Sequence, residues 1–195
     1  MSISTFNAFR SRNYRLYFAG QSVSLIGTWM QKTAVSWVVY SLTHSKFMLG
    51  VTLFATMFPS FLFSFIGGVA ADRYNRHRLL LLTQIVSMLQ AVLLTLLVFS
   101  GHYTVWDIIA LSVLLGVINA FDVPARQSLV YEMVNDKSHL PNALALNSSM
   151  VNLSRLIGPA IAGISIEAFG DVVCFGLNAL SFGAVIFSLL MMKLP

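Results

Sequence analysis

The sequence contains few charged residues and a single cysteine. Asp, Glu, Lys and Arg make up 10% of its 195 residues, whereas a soluble domain carries about 25%. The low charge therefore argues against an ordinary soluble protein. The lone Cys174 excludes a disulfide within the chain. The four histidines are far apart and fall in predicted loops, so we expect no metal site, and no cofactor is expected either.

Patterns typical of several other function classes are also missing. No stretch follows the phosphate-binding pattern G-x-x-x-x-G-K-[S/T], which argues against a self-contained ATPase. No histidine falls within a predicted span, so we expect no intramembrane catalytic set, no catalytic residues and no enzyme. The net charge of +5 does not indicate nucleic-acid binding, because the basic residues lie in the gaps between apolar runs. That placement is typical of membrane topology.

Long apolar runs dominate what is present. Apolar residues make up 57% of the chain, and the mean hydropathy is +0.78. Runs of about 20 apolar residues are the signature of transmembrane helices. The first run is too long, and too interrupted by polar residues, for a cleaved signal. We therefore predict an all-α membrane protein with six transmembrane helices. The expected spans are at about residues 16–42, 47–71, 79–99, 105–131, 143–168 and 172–192.

The distribution of Lys and Arg predicts the orientation of these spans. Nine of the twelve basic residues lie in the N-terminal lead (1–15), the 72–78 loop, the 126–141 region and the C-terminal end (193–195). The loops on the opposite side contain only Lys46. An excess of basic residues marks the cytoplasmic side of short loops. We therefore expect both termini in the cytoplasm.

A charged stretch, Gly68 to Arg78, separates the second and third apolar runs. Between Asp72 and Arg78 it holds one carboxylate and three guanidinium groups. Charge of this density between two apolar runs is expected only in a short loop at the membrane boundary. The glycines before it are expected to allow close helix packing. Asn75 suits a tight turn, because asparagine tolerates positive φ.

Polar residues also occur inside the predicted spans, where they are costly and indicate a functional site. In the first span they fall within roughly 140° of arc, at about 100° per residue, and form one stripe. Such a stripe must face a protein interior or a wet cavity. Two further spans contribute polar faces, and the excess of cations favours an anionic or partly anionic ligand. The candidate substrate-cavity residues are Gln21, Thr28, Gln31, Lys32, Asn119, Asn152 and Arg155.

Two alternatives stay open for these buried groups. They either surround a water-accessible cavity or pair with one another and fix the packing of the helices. Asp122 and Arg126 are spaced i,i+4, so they can pair along one helix. Aromatic residues such as Trp29 either line the cavity or serve packing and lipid contact.

The charged stretch resembles the signature loop of the major facilitator superfamily, G-x-L-a-D-r-x-G-r-k-x-x-l. Gly68, Asp72, Arg73 and Arg76 match that pattern, and the position after the second span agrees. The sequence departs from it at Ala70, Asn75 and His77, where the motif has leucine, glycine and lysine.

The fifth span contains a second resemblance to the same superfamily. The stretch 154–163 resembles its antiporter motif, g-x-x-x-G-P-x-x-G-G, with Gly158, Pro159 and Gly163 in place. Small residues allow close helix approach, and proline bends a span. The stretches 21–31 and 121–127 resemble the branch that contains siderophore and multidrug exporters, and enterobactin-exporter-like permeases in particular.

The resemblance implies a fold and a mechanism. Members of the superfamily usually have twelve spans in two six-span halves, so the six spans here would form the N-terminal half-bundle. The lipid bilayer and a second half, from the same longer chain or from a second copy, are the expected partners. In the family the loop acts as a conformational latch, and its arginines pair with an acidic residue low in the fourth span, here Asp122. The implied latch residues are Gly68, Asp72, Arg73, Arg76, Asp122 and Arg126.

The leading functional hypothesis is a secondary active exporter that works by alternating access. The resemblance implies proton coupling, a siderophore, drug or similar small amphipathic or anionic substrate, and a bacterial inner (cytoplasmic) membrane. Asp122 is the one acidic residue clearly inside a predicted span. The alternative is a six-span membrane interaction or assembly module that transports nothing. Flux of ligand in reconstituted vesicles distinguishes the two.

Overall fold

The computed structural model describes residues 7–134 and 137–192. The described chain contains six long α-helices and two short 3-10 helices at Asn7–Arg10 and Lys137–His139. The predicted ends at 1–6 and 193–195, and positions 135–136, lie outside the described residues. The long helices are α1 (Arg12–Thr43), α2 (Lys46–Arg73), α3 (Arg76–Ser100), α4 (Val105–Met133), α5 (Leu140–Phe169) and α6 (Asp171–Leu190).

The ends of the helices follow local sequence signals. Ser45 caps α2 by accepting a hydrogen bond from the Met48 amide. Asn75 caps α3 by accepting one from the Arg78 amide at 3.0 Å, and its φ of −62° is an ordinary negative value. The predicted turn at Asn75 is therefore present, but for capping rather than for a positive φ. Gly101 takes that conformation instead, with φ of 68° at the end of α3.

Five of the helices in the described ranges, α2 to α6, are long and apolar enough to cross a membrane. The chain is accordingly an integral membrane protein. The first helix is the longest, with 32 residues, but its polar stripe makes it the least apolar of the six. Its role as a sixth span stays a prediction.

The helices pack side by side in an order that differs from their order in the chain. α2 packs on α4, α3 lies against both α4 and α6, and α1 lies between α6 and α5. Two groups of buried apolar side chains fill the interior, one around Tyr17 and Leu129 and one around Val38 and Phe175. α1 contributes to both groups and is the central helix of the bundle.

The start of the chain is tied to the connection between α4 and α5. Ser11 donates a hydrogen bond to the carbonyl of Met133 at 2.7 Å, and the Tyr14 hydroxyl donates to the carbonyl of Ala143 at 2.9 Å. Ser11 also caps α1. Residues that open the first helix therefore satisfy a carbonyl group at the end of α4, where helical partners are lacking, and tie α1 to the start of α5.

Glycine permits the close crossing of α2 and α4. A Cβ atom on Gly67 would collide with the carbonyl oxygen of Ala120, and one on Gly116 would collide with that of Thr56. Nothing lies within 4 Å of the corresponding position on Gly68. Of the two glycines before the charged loop, the residue that serves helix packing is thus Gly67.

Candidate functional site

A cavity of about 290 Å³ lies between α1, α2, α3, α4 and α5. Three of the seven predicted cavity residues line it, namely Gln31, Lys32 and Arg155. The described chain contributes no Asp or Glu to its lining. Its polar lining includes Gln31, Lys32, Thr52, Gln90, Ser112 and Arg155.

Two cations share one aromatic ring at this cavity. The Nζ atom of Lys32 lies 4.2 Å from the centre of the Trp29 ring, and the Cζ atom of Arg155 lies 5.4 Å from it. Both distances are within the range of cation–π attraction. Both cationic side chains are also exposed. Trp29 therefore fits both alternatives. Its ring lines the cavity, and it also packs against the side chains of Lys32 and Arg155.

A line of side-chain amides forms the buried side of the cavity. Asn178 on α6 donates to the Gln31 carbonyl oxygen at 2.7 Å, and Gln31 donates to that of Gln90 on α3 at 3.0 Å. Gln90 in turn donates to the backbone carbonyl of Leu111 on α4 at 3.2 Å. All bonds run in one direction, so each amide is held in a defined orientation. Four helices are joined through Gln31.

The other predicted cavity residues lie elsewhere. Gln21 is buried, and the described residues provide no hydrogen-bond partner for its side-chain oxygen. Thr28 donates to the carbonyl of Ser24, one turn earlier in its own helix. Asn119 is half-buried and Asn152 is exposed. Neither is among the residues that line this cavity. Their proposed contact with substrate finds no geometric support here.

Asp122 is buried and fully engaged between α4 and α3. It pairs with Arg126 one turn along α4. It also accepts hydrogen bonds from the Thr83 hydroxyl at 2.9 Å and from the Gln84 amide at 2.6 Å. Asp122 and Arg126 therefore pair with each other and fix the packing of the helices, because the carboxylate joins α4 to α3.

The charged loop has a different acidic partner from the expected one. Arg76 pairs with Glu132 near the end of α4 and donates to the carbonyl of Ala71 at 3.3 Å. The expectation that the loop arginines pair with Asp122 is therefore wrong in this structure, because Asp122 is occupied by α3 and Arg126. Asp72 and Arg73 are exposed. With Arg76 and Glu132 they line a shallow cavity of about 530 Å³.

The fifth-helix motif is used at one of its two glycines. A Cβ atom on Gly158 would collide with the Cβ atom of Trp29 on α1. Nothing lies within 4 Å of the corresponding position on Gly163. The predicted packing role therefore applies to Gly158, which admits Trp29, and Gly163 makes no close approach.

Sequence reasoning missed Gln90, Asn178, Thr83, Gln84 and Glu132. α3 is an apolar run, yet its polar residues at 83, 87 and 90 recur at helical spacing. That periodicity in an apolar run was the available signal. Nothing in the sequence distinguished Glu132 as the partner of Arg76.

A comparison with known protein families identifies the family of this chain. The family model described as "Transmembrane secretion effector" matches residues 3–194. The chain belongs to this family, which is part of the major facilitator superfamily of transporters.

The curated relatives are transporters of this superfamily. The chain is 28% identical to the staphyloferrin A transporter of Staphylococcus aureus over 86% of this chain and 42% of the relative. It is 26% identical to the enterobactin exporter EntS of Shigella boydii over 93% of this chain and 43% of the relative. It is 23% identical to the macrolide efflux protein A of Streptococcus pyogenes over 94% and 44%. The chain thus spans less than half of the length of these relatives. No solved structure gives a significant match.

Proposed function

We propose that this chain is the N-terminal half-bundle of a secondary active exporter of small, acidic or amphipathic molecules. The observation that carries the proposal is the cavity between five helices, lined by Lys32 and Arg155 and by oriented amides, with no lining carboxylate in the described chain. Intramembrane cations of this kind mark substrate pathways. The relatives are a siderophore transporter, a siderophore exporter and a drug efflux protein.

The missing half of the substrate site is supplied by a second six-helix bundle. α2 is the least buried of the five apolar helices and α5 the next. α2 presents exposed aromatic side chains outward, among them Phe61 and Phe65. Both surfaces suit contact with lipid and with a second bundle, either in a longer chain or in a second copy. Alternating access then consists of one bundle rocking against the other around a central site.

The charged loop acts as a conformational latch in this scheme. Asp72 and Arg73 are exposed and able to meet the second half, while Arg76 is already bound to Glu132 within the bundle. Gly68 lies one turn before Asp72 near the end of α2. Asp122 and Arg126 hold α3 and α4 together behind it. These residues set the conformational equilibrium and do not contact substrate.

Proton coupling and topology complete the proposal. Asp122 is the buried carboxylate of the described bundle, so it is the candidate proton acceptor on this half. The excess of basic residues in alternate loops supports the proposal that both termini lie in the cytoplasm. Because the relatives are bacterial, we further propose that the protein is an antiporter of the bacterial inner membrane.

Transport by reconstituted vesicles tests the function. Purified protein that contains both six-helix halves, in one longer chain or as two copies, is inserted into proteoliposomes loaded with enterobactin, staphyloferrin A or a macrolide, and release is followed with and without an imposed proton gradient. We expect release of an acidic compound that depends on the gradient and falls in Lys32→Ala, with Lys46→Ala as the matched cation control outside the cavity. A membrane interaction module would release none of the three compounds in any variant.

A further inference from the structure

The central cavity contains a pair of cationic side chains that both contact a single indole ring. Lys32 is on α1 and Arg155 is on α5, yet both contact the ring of Trp29. From the two ring distances, the charged atoms lie within about 10 Å of each other. Like charges at this separation repel each other, and the cation–π contact that each makes with the Trp29 ring offsets part of that cost.

The position of Trp29 depends in turn on Gly158. The Cβ atom of Trp29 fits against α5 because residue 158 lacks a side chain. Any larger residue at 158 would push the indole away from α5, and therefore away from Arg155. The glycine of the fifth-helix motif thus acts on the cavity through Trp29.

Within the described part of this bundle, no carboxylate at the cavity neutralises this pair of charges. No Asp or Glu from the described chain lines the cavity, and the buried Asp122 is bound to Arg126, Thr83 and Gln84. The neighbouring Gln31 and Gln90 are uncharged and engaged in the amide line. Two exposed cations on one ring, without a carboxylate, form a site for two negative charges.

We propose that the cavity selects substrates that carry two acidic groups, one for Lys32 and one for Arg155, and that Trp29 is the positioning residue that sets the spacing of the two cations. This inference rests on the proposed transport function and specifies its substrate class. The charged atoms of Lys32 and Arg155 are no more than about 10 Å apart, and each charge-assisted hydrogen bond spans about 3 Å. A ligand that lies between the two cations therefore bridges them when its acidic groups are a few ångströms apart. Short dicarboxylates meet this condition, and monocarboxylates engage one cation only.

Binding of small acids to the purified chain tests the selection directly. The chain has three tryptophans, so Trp37→Phe with Trp106→Phe leaves Trp29 as the only indole. Glutarate, butyrate and 1,5-diaminopentane serve as the dianionic, monoanionic and dicationic probes. We expect saturable changes in Trp29 emission with glutarate, at least about tenfold weaker binding of butyrate, and no response to the diamine.

Variants assign the effect to the two cations. Lys32→Gln and Arg155→Gln should each reduce glutarate binding to the level of butyrate, and Lys46→Gln should leave it unchanged. Titration calorimetry on the chain with all three tryptophans gives the same comparison without the fluorescence background. Trp29→Leu and Gly158→Ala should lower the preference for glutarate over butyrate, while Trp29→Phe retains most of it. Gly163→Ala, at an open position, is the control for the glycine change.

Three results would overturn the inference. These are equal binding of glutarate and butyrate, glutarate binding that survives both charge removals, and a glutarate preference that is intact in Trp29→Leu. Vesicle flux distinguishes this failure from failure of the transport function. Selective binding without flux of any compound, in vesicles that contain both six-helix halves, refutes transport and leaves the two-charge site standing. Flux without preference for diacids refutes the two-charge site and leaves transport standing.

Discussion

Arg76 at the start of α3 pairs with Glu132 near the end of α4, and this pair connects the charged loop to the same bundle that holds the cavity. Both side chains are partly exposed, at 33% and 42%. An exposed ion pair contributes no more than about 1 kcal/mol to folding. Its importance is therefore expected in the position of the loop rather than in the stability of the bundle.

Reversal of the pair tests this role. Glu132→Arg should slow transport, because it repels Arg76 and displaces the loop, while thermal unfolding in detergent shifts by less than about 1 kcal/mol. Arg76→Glu combined with Glu132→Arg should restore transport. A double variant as slow as the single ones would show that the charges act separately.

Asp72→Asn should impair transport and leave membrane insertion intact. The carboxylate is exposed at the rim of the loop and free to meet the second half. Removing its charge therefore alters the conformational equilibrium and not the packing of this bundle. Export rates in vesicles, compared at equal protein content, check the prediction. Rates equal to those of the unmodified protein would remove Asp72 from the latch.

Lys32→Ala should weaken transport of anionic compounds by about tenfold or more, which corresponds to the loss of one charge-assisted hydrogen bond. Neutral compounds should lose much less. The measurement is the ratio of the two export rates in the variant and in the unmodified protein. Equal losses for both classes would indicate that Lys32 serves packing.

Asp122→Ala should destabilise the bundle by about 3–5 kcal/mol, because it leaves the charge of Arg126 poorly compensated. The Arg126 side chain is only 16% exposed. Asp122→Ala combined with Arg126→Leu should recover part of the loss. Thermal unfolding in detergent gives both values, and an unfolding temperature unchanged by Asp122→Ala would contradict the packing role.

Gly67→Val should destabilise the α2–α4 crossing by about 1–3 kcal/mol or more, since the added side chain meets the Ala120 carbonyl. Gly68→Val is the matched control, because space is open around Gly68. Unfolding in detergent of the two variants should differ clearly. Equal effects would show that contact with α4 does not set the cost, because the change in helix propensity is the same in the two variants.

The long elements of the fold followed from the sequence because long apolar runs between charged loops leave the chain few alternatives. Each of the six expected stretches overlaps a helix, with ends that differ by a few residues; α1 and α5 begin earlier than expected, and Ser11 and Pro141 lie at or near their starts. For α1 the sequence predicted a polar stripe, and the structure places Gln31 and Lys32 of that stripe at the cavity.

The site itself was predictable only in part. Lys32 and Arg155 were identified because charge inside a span is rare. Gln90 and Asn178 were missed because a single neutral amide in an apolar run is common enough not to indicate a site. Which residues meet depends on the packing order of the helices, and no local pattern specifies that α3 separates α4 from α6. For the same reason the sequence could not separate Glu132 from Asp122 as the partner of Arg76.

The amide line through Gln31 has a mechanical consequence. Turning α1 about its own axis by a single residue, about 100°, would break its bonds to α3 and α6 together. The Gln90 carbonyl oxygen and the Asn178 amino group would each lose their bond to Gln31, at about 1–3 kcal/mol each. Ser11 and Tyr14 oppose the same rotation from the other end of the helix. A twist of α1 alone therefore carries a large free-energy cost, and we expect the bundle to move as a rigid body instead.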